Sequence, residues 1–309
     1  MSSCHRAPGH WRNGRARSCG SSCHFQPADP PILTAREVAQ GLAAEFGQAF
    51  IVENRAGAGS TLGTASVAKA PADGYTFLIT SSHYPIVPAL YDLQYDPVKD
   101  LKGVSLLVNL PVILVATPKL PVSNVKELIE YDRANPGELN FGSSGAGGVN
   151  HLSGELFNAT ASTKLVHVPY KGTAPAMQDL LGGHVQLMFD AISTSLPSIR
   201  SGSIKALAWA GAKRAAILPD LPTIAESGVP GYEMTGWLAM FAPAGTPDDI
   251  IQRVSTAVRK VLNEPAVKER QAVLGIEVAA SSPAELDQTV RTEMEKWSAL
   301  IKQMSIGGR

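Results

Sequence analysis

A run of small residues between a short apolar segment and a helical pattern constrains this chain more than any other feature. Residues 139–157 read LNFGSSGAGGVNHLSGELF. The apolar start predicts a buried strand, Gly142 to Gly148 predict a turn almost without side chains, and a helix follows. Backbone N–H groups in such a turn lie at the positive end of the helix dipole, where they can bind an anion without Lys or Arg.

A second glycine-rich turn, Asn54 to Gly63, follows the predicted strand Ala49 to Glu53 and reads NRAGAGSTLG. It is close to a dinucleotide-binding fingerprint, but its third glycine comes one place late, and no acid clearly follows at the end of the next strand. A tight strand-to-helix turn and an anion-binding turn both fit these residues. We predict no nicotinamide cofactor and no other cofactor.

Composition narrows the class of protein further. Lys plus Arg equals Asp plus Glu at 27 each, so no overall field favours nucleic acid. No apolar run approaches the ~18 residues that a membrane-spanning helix needs. With 309 residues, of which 44% are apolar, the chain can form two domains with sizeable cores.

The first 33 residues differ from the rest of the sequence. They contain every cysteine of the chain (Cys4, Cys19 and Cys23), several arginines and no apolar segment of the kind found in a secretory signal peptide. Neither helical nor strand periodicity is present, so we expect residues 1–33 to be a disordered or frame-shifted leader. The spacing of Cys19, Cys23 and His24 is not a standard zinc pattern, and we predict no metal site.

Predicted strands and helices alternate from about Thr34 onward, which indicates an α/β fold with mostly parallel sheets covered by helices. We expect two lobes, residues 34–108 with 237–309 and residues 109–236. The chain would cross between them near Leu107 to Val112 and near Thr235 to Phe241. Ligands of open α/β sheets bind at the carboxyl ends of the strands, so both glycine turns, Ser81 and Ser82 should face one cleft.

The polar residues around the first turn also suggest an enzyme. Ser144 with His151 and Asp190 would make a hydrolase triad, but the G-x-S-x-G spacing is absent. His151 fits equally a helix-face residue that bonds its own loop. Asp190 fits a cap for the next helix, or a group that orients water or a ligand hydroxyl. Buried positions are expected for Trp209, Trp237 and Trp297.

Several segments in order resemble the Bug (Bordetella uptake gene) family, the periplasmic solute-binding proteins of tripartite tricarboxylate transporters. The resemblance covers the chain from about Thr34. The segments are VENRAGAG (52–59), DGYT (73–76), LNFGSSG (139–145), VPYKGT (168–173), DLLGG (179–183), LPDLPT (218–223) and Gly231–Tyr232.

The resemblance implies a two-lobe Venus flytrap, type II-like, that closes on a small dicarboxylate, tricarboxylate or amino acid and delivers it to a membrane permease. It implies a periplasmic monomer without enzymatic activity. A Ser/His hydrolase or a nicotinamide-dependent oxidoreductase using the same cleft is the alternative. By position, the ligand-binding residues would be Asn54, Gly57, Ala58, Gly59, Ser81, Ser82, Ser143, Ser144, Gly145, Ala146, Gly147, His151, Tyr170, Gly172 and Asp190.

One departure from the family concerns the residues before Ala35-Arg36. The family has a strand and a Pro- and Gly-rich loop with an Asp there, whereas this chain reads QPADPPILT over residues 26–34. The loss of pattern suggests a shifted reading frame or a wrong start near Pro30. We therefore expect the central strand of the first lobe to be unfilled, and ligand binding to be poor.

Overall fold

The structure is a computed structural model that describes residues 16–20, 30–55 and 61–303. In chain order, the strands are β1 (Ala16–Gly20), β2 (Phe50–Asn54), β3 (Thr76–Ser81), β4 (Leu101–Ala116), β5 (Asn140–Ser143), β6 (Val166–Pro169), β7 (Leu187–Ala191), β8 (Lys205–Trp209), β9 (Thr235–Pro243) and β10 (Glu277–Val278). The helices are α1 (Pro30–Phe46), α2 (Thr61–Ala68), α3 (Val125–Ala134), α4 (Val149–Ala161), α5 (Thr173–Gly182), α6 (Ile192–Arg200), α7 (Asp248–Leu262), α8 (Pro265–Val273) and α9 (Pro283–Gln303), with a 3-10 turn at Val87–Ala89.

The strands form one path in the order β2-β1-β3-β9-β4-β7-β5-β6, and β8 and β10 also pair with β4. This path is two sheets joined by the 16-residue strand β4. Its first part, Leu101 to Pro111, pairs with β9, and its second part, Val112 to Ala116, pairs with β7 and β8. We call these the first and second sheets.

Strand β4 continues through a proline. Pro111 lies inside β4, opposite Thr235. Proline has no N–H to donate to a neighbouring strand, so it normally interrupts a ladder. Here Pro111 lies where the partner of β4 changes from β9 to β7, so the missing donor falls at the junction of the two sheets.

The predicted α/β class and the two-sheet architecture are confirmed, but both sheets are mixed rather than mostly parallel. Strand β1 is parallel to β2 and β3, and β5 is parallel to β6 and β7. The pairs of β4 with β7, β8, β9 and β10, and of β3 with β9, are antiparallel. In both sheets, the chain passes from one parallel strand to the next through a helix, as crossover connections require.

The expectation that the central strand of the first sheet is unfilled is wrong. Residues Ala16–Gly20 lie between β2 and β3, in register with Phe50–Asn54 on one side and with Thr76–Ile79 on the other. A central strand gains main-chain hydrogen bonds along both edges, which outweighs the weak strand preference of its sequence. Helix α1 begins at Pro30, inside the predicted leader; residues 1–15 and 21–29 lie outside the described part of the chain.

Each sheet packs against its own core, and helix α9 contributes to both. Leu286 and Val290 of α9 pack with residues of the first sheet, whereas Trp297 and Ile301 pack with the core of the second. The three tryptophans predicted to be buried are each at most 3% exposed. Helix α9 therefore packs against the cores of both lobes. Along the described ranges, no helix combines the length and hydropathy needed to cross a bilayer.

Candidate functional site

Three strands of the second sheet end at one edge, and a helix starts directly after each. Ser143 at the end of β5 is in register with Pro169 at the end of β6, and β7 runs parallel beside β5. Helices α4, α5 and α6 begin after caps at Gly148, Gly172 and Ala191, none of which provides a side-chain hydrogen bond. None of the three helices has an acid in its first turn. Their first N–H groups have no intrahelical acceptor, so positive dipole ends converge on this edge.

A helix on the same lobe shows the usual alternative. Helix α3 is capped by Asn124, whose side chain accepts a hydrogen bond from the N–H of Glu127. Among the helices of the second lobe, α3 satisfies its own N-terminus with a side chain, whereas α4, α5 and α6 do not.

The glycine-rich loop after β5, residues 143–148, is held in shape from behind by Ser143. Ser143 is fully buried, and its Oγ accepts the N–H of Gly145 at 3.1 Å. The same oxygen is 3.1 Å from the carbonyl of Gly145 and 2.6 Å from Nε2 of His167. The side chain of Ser143 therefore shapes the loop and does not face a ligand.

His151, on the first turns of α4, bonds its own loop. Its Nδ1 accepts the N–H of Gly147 at 3.0 Å, and its Nε2 is 3.5 Å from Oε1 of Glu155. This confirms the structural interpretation of His151 that the sequence left open. The imidazole fixes Gly147, whose φ of +76° suits glycine.

Asn150 and Asp190 join the loop to β7. The Oγ of Ser144 donates to Oδ1 of Asn150 at 3.2 Å, and Nδ2 of Asn150 donates to the carbonyl of Phe189 at 2.6 Å and to Oδ1 of Asp190 at 3.2 Å. Asp190 is buried, and its other oxygen accepts the hydroxyls of Thr194 and Ser195 at the start of α6. Burial raises the pKa of Asp190, while these hydrogen bonds oppose the rise.

Asp190 therefore acts as an acceptor inside the second lobe, and its side chain is only 1% exposed. Its contacts are not those of the helix cap considered from the sequence, because Asp190 accepts the side-chain hydroxyls of Thr194 and Ser195 and the cap residue of α6 is Ala191. Tyr170 is also bound within the lobe, since its hydroxyl donates to Oδ2 of Asp179 at 2.6 Å. Burial and this bond raise the pKa of Tyr170 to about 12. Gly172 has a φ of +115° and donates its N–H to the carbonyl of Ser144 at 3.2 Å, which ties the two loops together.

The first sheet presents a matching edge. Gly20 is in register with both Asn54 and Ile79, so Asn54 and the residues after β3 lie at the same edge. The Oγ of Ser82 accepts the N–H of Trp237 at 3.3 Å, and the N–H of Ser82 donates to the carbonyl of Trp237 at 3.0 Å. The Oγ of Ser81 is 3.5 Å from the N–H of His83. Gly57, Ala58 and Gly59 lie outside the described residues.

The two edges meet at the loop of the second sheet. A Cβ built on Gly147 would lie 3.0 Å from Cδ1 of Leu90, 3.5 Å from the hydroxyl of Tyr91 and 3.8 Å from Nε2 of His83. These three residues belong to the segment that follows Ser81 and Ser82. The loop of the second sheet therefore lies next to the segment that follows Ser81 and Ser82. That both glycine turns, Ser81 and Ser82 face one cleft stays a prediction.

The contacts do not form a hydrolase triad. Ser144 bonds Asn150, His151 bonds Gly147 through Nδ1, and Asp190 bonds Thr194, Ser195 and Asn150. A serine nucleophile needs a base within hydrogen-bonding reach, and Ser143, which has His167 there, is buried behind the loop. Over the described ranges, no cluster of His, Cys, Asp and Glu could hold a metal ion, and Cys23 and His24 lie outside those ranges.

Two residues at this site were missed from the sequence, Asn150 and His167. Asn150 is polar on the first turn of a helix that follows a glycine loop, where a side chain can return to bond that loop. His167 lies on β6 and reaches the site only because β6 pairs with β5, which places it opposite Phe141.

Residues 34–306 match the family described as tripartite tricarboxylate transporter family receptor. The chain belongs to this family. The match covers most of the chain and starts at the residue from which the resemblance was read in the sequence. The predicted family is thereby confirmed.

Solved structures agree with this result. A structure described as R. palustris Rpa4515 with adipate is 35% identical with a TM-score of 0.86, covering 96% of this chain and 98% of that chain. The periplasmic binding protein BugD is 35% identical with a TM-score of 0.83, covering 95% and 99%. MatC from Rhodopseudomonas palustris with bound malate is 33% identical with a TM-score of 0.81, covering 92% and 99%. The periplasmic-binding-protein fold and a solute-binding role follow for this receptor.

Proposed function

We propose that this receptor captures a small dicarboxylate in the periplasm, between its two sheets, and delivers it to the permease of a tripartite tricarboxylate transporter. The observation that carries the proposal is the edge where α4, α5 and α6 all begin without a capping side chain or an acid. A carboxylate placed there satisfies main-chain donors and opposes three helix dipoles at once.

One carboxylate is bound by the second lobe through the loop of residues 143–148 and the start of α4. Ser144 and Ala146 contribute main-chain N–H groups. The N–H groups of Gly145 and Gly147 are donated to Ser143 and His151, so these glycines and Gly172, at the start of α5, line the surface with their backbone. Ser143, His151, Asp190 and Tyr170 make their hydrogen bonds within the lobe, so they support this surface from behind.

The other carboxylate is bound by the first lobe. The Oγ of Ser81 lies near the N–H of His83, and the Oγ of Ser82 accepts a hydrogen bond from the N–H of Trp237. A hydroxyl that accepts such a bond keeps its own hydrogen for a ligand. Asn54 lies at the same edge, and the turn at residues 57–59 follows β2, so we propose both as further contacts.

The ligand class is supported by the relatives, which hold adipate and malate in their structures. Both are dicarboxylates of different length. Two anion-binding edges that face each other across a cleft match two carboxylates joined by a short chain. A tricarboxylate or an amino acid is the alternative ligand class within the same cleft.

Ligand contact with both lobes favours closure, because the closed state gains contacts that the open state lacks. We propose lobes at residues 34–108 with 237–309 and at residues 109–236, with strand β1 added to the first lobe and the end of α9 packed on the second. We further propose a monomer that turns over no substrate. Light scattering and product assays with each bound acid check these two statements.

Calorimetry and thermal unfolding of the purified chain test the proposal directly. Malate, adipate, succinate and citrate are titrated at pH 8, with dimethyl adipate as the uncharged control. The poor binding expected from the sequence rested on an unfilled central strand, and β1 fills that strand. We therefore expect saturable 1:1 binding of at least one dicarboxylate and none of the ester. At a ligand concentration of 100 times Kd, the free energy of unfolding should rise by about 2.7 kcal/mol. Absence of a response to every acid would refute the proposal.

A pair of serine variants tests the location of the site. Ser144→Ala removes the bond between the loop and Asn150, so we expect about fivefold weaker binding from one lost hydrogen bond. Ser201→Ala removes a comparable exposed hydroxyl, which bonds Ser198 and Ser203 at the end of α6. Equal affinities of the two variants would place the site elsewhere.

A further inference from the structure

Two histidines are stacked directly behind the carboxylate-binding loop. His151 of α4 and His167 of β6 have ring centroids 3.9 Å apart at an angle of 26°. Phe141 of β5 stacks on both, at 5.1 Å from His167 and 6.4 Å from His151. An apolar side chain could fill the same space as either ring. The hydrogen bonds of the two histidines therefore indicate their role.

The bond from His151 requires one particular proton arrangement. Its Nδ1 accepts the N–H of Gly147 at 3.0 Å, so that nitrogen carries no proton. In the neutral ring the proton is then on Nε2, which faces Glu155 at 3.5 Å. Protonation of Nδ1 puts two N–H groups face to face, and the bond that fixes Gly147 is lost.

His167 holds the other end of the loop. Its Nε2 is 2.6 Å from Oγ of Ser143, and this oxygen accepts the N–H of Gly145. The loop is therefore anchored twice, at Gly145 through Ser143 and His167, and at Gly147 through His151. A positive charge on the ring of His167 is unfavourable because burial desolvates the ring and His151 lies beside it.

The charged and titratable groups around the pair are few. Glu155 on α4 is the one carboxylate that acts on His167, and it favours the charged ring. Across Gly147, the segment after β3 presents His83 and Tyr91. Burial, followed by the neighbouring His151, lowers the pKa of His167 to about 4 from 6.5. Stability from the neutral ring is therefore complete above about pH 6.5 and is lost as the pH falls toward 4.

We propose that His151 and His167 are positioning residues that hold the loop of residues 143–148 in its ligand-binding shape only while both rings are uncharged. Acidification then weakens carboxylate binding through the protein, in addition to any protonation of the ligand. This inference rests on the proposed function, and its test is chosen so that the two can fail separately.

The first measurement needs no ligand. In amide NMR spectra of the deuterated, ligand-free protein, the N–H signals of Gly145 and Gly147 should shift between pH 8 and 4. His151 should show an unprotonated Nδ1 at pH 8. The shift of Gly147 should vanish in His151→Asn, whose side-chain oxygen replaces Nδ1 as an acceptor without titrating. A Gly147 signal that titrates identically in that variant would overturn the proposal.

The second measurement is the affinity for malate or adipate at pH 8 and pH 5.5. We expect His151→Leu to bind about fivefold more weakly than the wild type at pH 8, because the acceptor is lost. His151→Asn should recover most of this loss and show a smaller affinity drop at pH 5.5 than the wild type. His167→Gln should show the same affinity drop at pH 5.5 as the wild type, because His167, with its pKa lowered to about 4, is uncharged at both pH values.

His184→Gln serves as the matched control, since His184 is exposed at the end of α5 and far along the chain from the loop. Its affinity should equal that of the wild type at both pH values. Comparison with this variant therefore subtracts the effect of ligand protonation. Equal pH dependence of the wild type and His151→Asn would refute the positioning role. If no acid binds at pH 8, the proposed function fails, and the NMR titration still decides the role of the histidines.

Discussion

Gly154 sits in the middle of α4, where glycine is normally unfavourable, and the structure gives the reason. A Cβ at this position would lie 2.3, 2.4 and 2.8 Å from ring atoms of Phe141. These distances are far inside van der Waals contact. Phe141 is fully buried and packs edge-on against Phe189 at 6.1 Å, so its ring cannot simply retreat.

The effect of Gly154→Ala is the difference between two terms. Alanine gains about 1 kcal/mol of helix stability over glycine. Forcing a methyl group into a well-packed core costs about 1–3 kcal/mol, and contacts this short belong at the upper end. We therefore expect the variant to lose about 1–2 kcal/mol of unfolding free energy. Since Phe141 stacks on His151 and His167, the variant should also bind dicarboxylates more weakly.

Urea unfolding of the wild type, Gly154→Ala and the control Gly182→Ala measures this difference. At Gly182 a Cβ would meet only the ring of His184 at 3.0 Å, and that exposed side chain can move. The control should therefore lie within about 0.5 kcal/mol of the wild type. A Gly154→Ala variant that is as stable as the wild type, or more stable, would refute the argument that Phe141 excludes a side chain here.

Three further outcomes are expected. Asp190→Ala leaves the donors of Thr194 and Ser195 without their shared acceptor, and urea unfolding should show a loss of about 3 kcal/mol; a loss below about 1 would contradict the contacts. Burial raises the pKa of Glu293 to about 7 from 4.5, so its stabilisation is complete below about pH 4.5 and is lost as the pH rises through 7. Glu293→Gln can still accept the hydrogen bond from Trp237. Between pH 5 and 8.5, the variant should therefore lose about 2 kcal/mol less unfolding free energy than the wild type, as measured by urea unfolding at both pH values. Gly147→Ala places a side chain on a residue with a φ of +76° and 3.0 Å from Cδ1 of Leu90. Calorimetry should show at least fivefold weaker binding. Unchanged affinity would mean that the loop adapts freely.

Local patterns in the sequence were enough to locate most elements. The apolar run before Gly142 became β5, and the helical pattern after Gly148 became α4. Asn124 caps α3 through its own short side chain, which accepts an N–H bond three residues along the chain. These features depend on neighbours within about one helical turn, which a single sequence contains.

Other features depended on partners distant in the chain. Ala16–Gly20 has no strand periodicity and becomes the central strand because β2 and β3 offer hydrogen bonds on both sides. Pro111 lies inside β4 because the partner strand changes there. His167 reaches the loop through the pairing of β6 with β5, and α9 joins the cores of both sheets.

The sequence by itself determined an α/β chain with a side-chain-poor loop at a helix start, since glycine content, apolar periodicity and capping residues act locally. The tertiary structure alone decided which polar side chains bond within the second lobe and support the loop. Ser143, His151 and Asp190 are polar residues that look like ligand contacts in the sequence. Burial forces each of them to find a partner inside the lobe, because a buried polar group without a hydrogen bond is costly, and those partners come from other strands and helices.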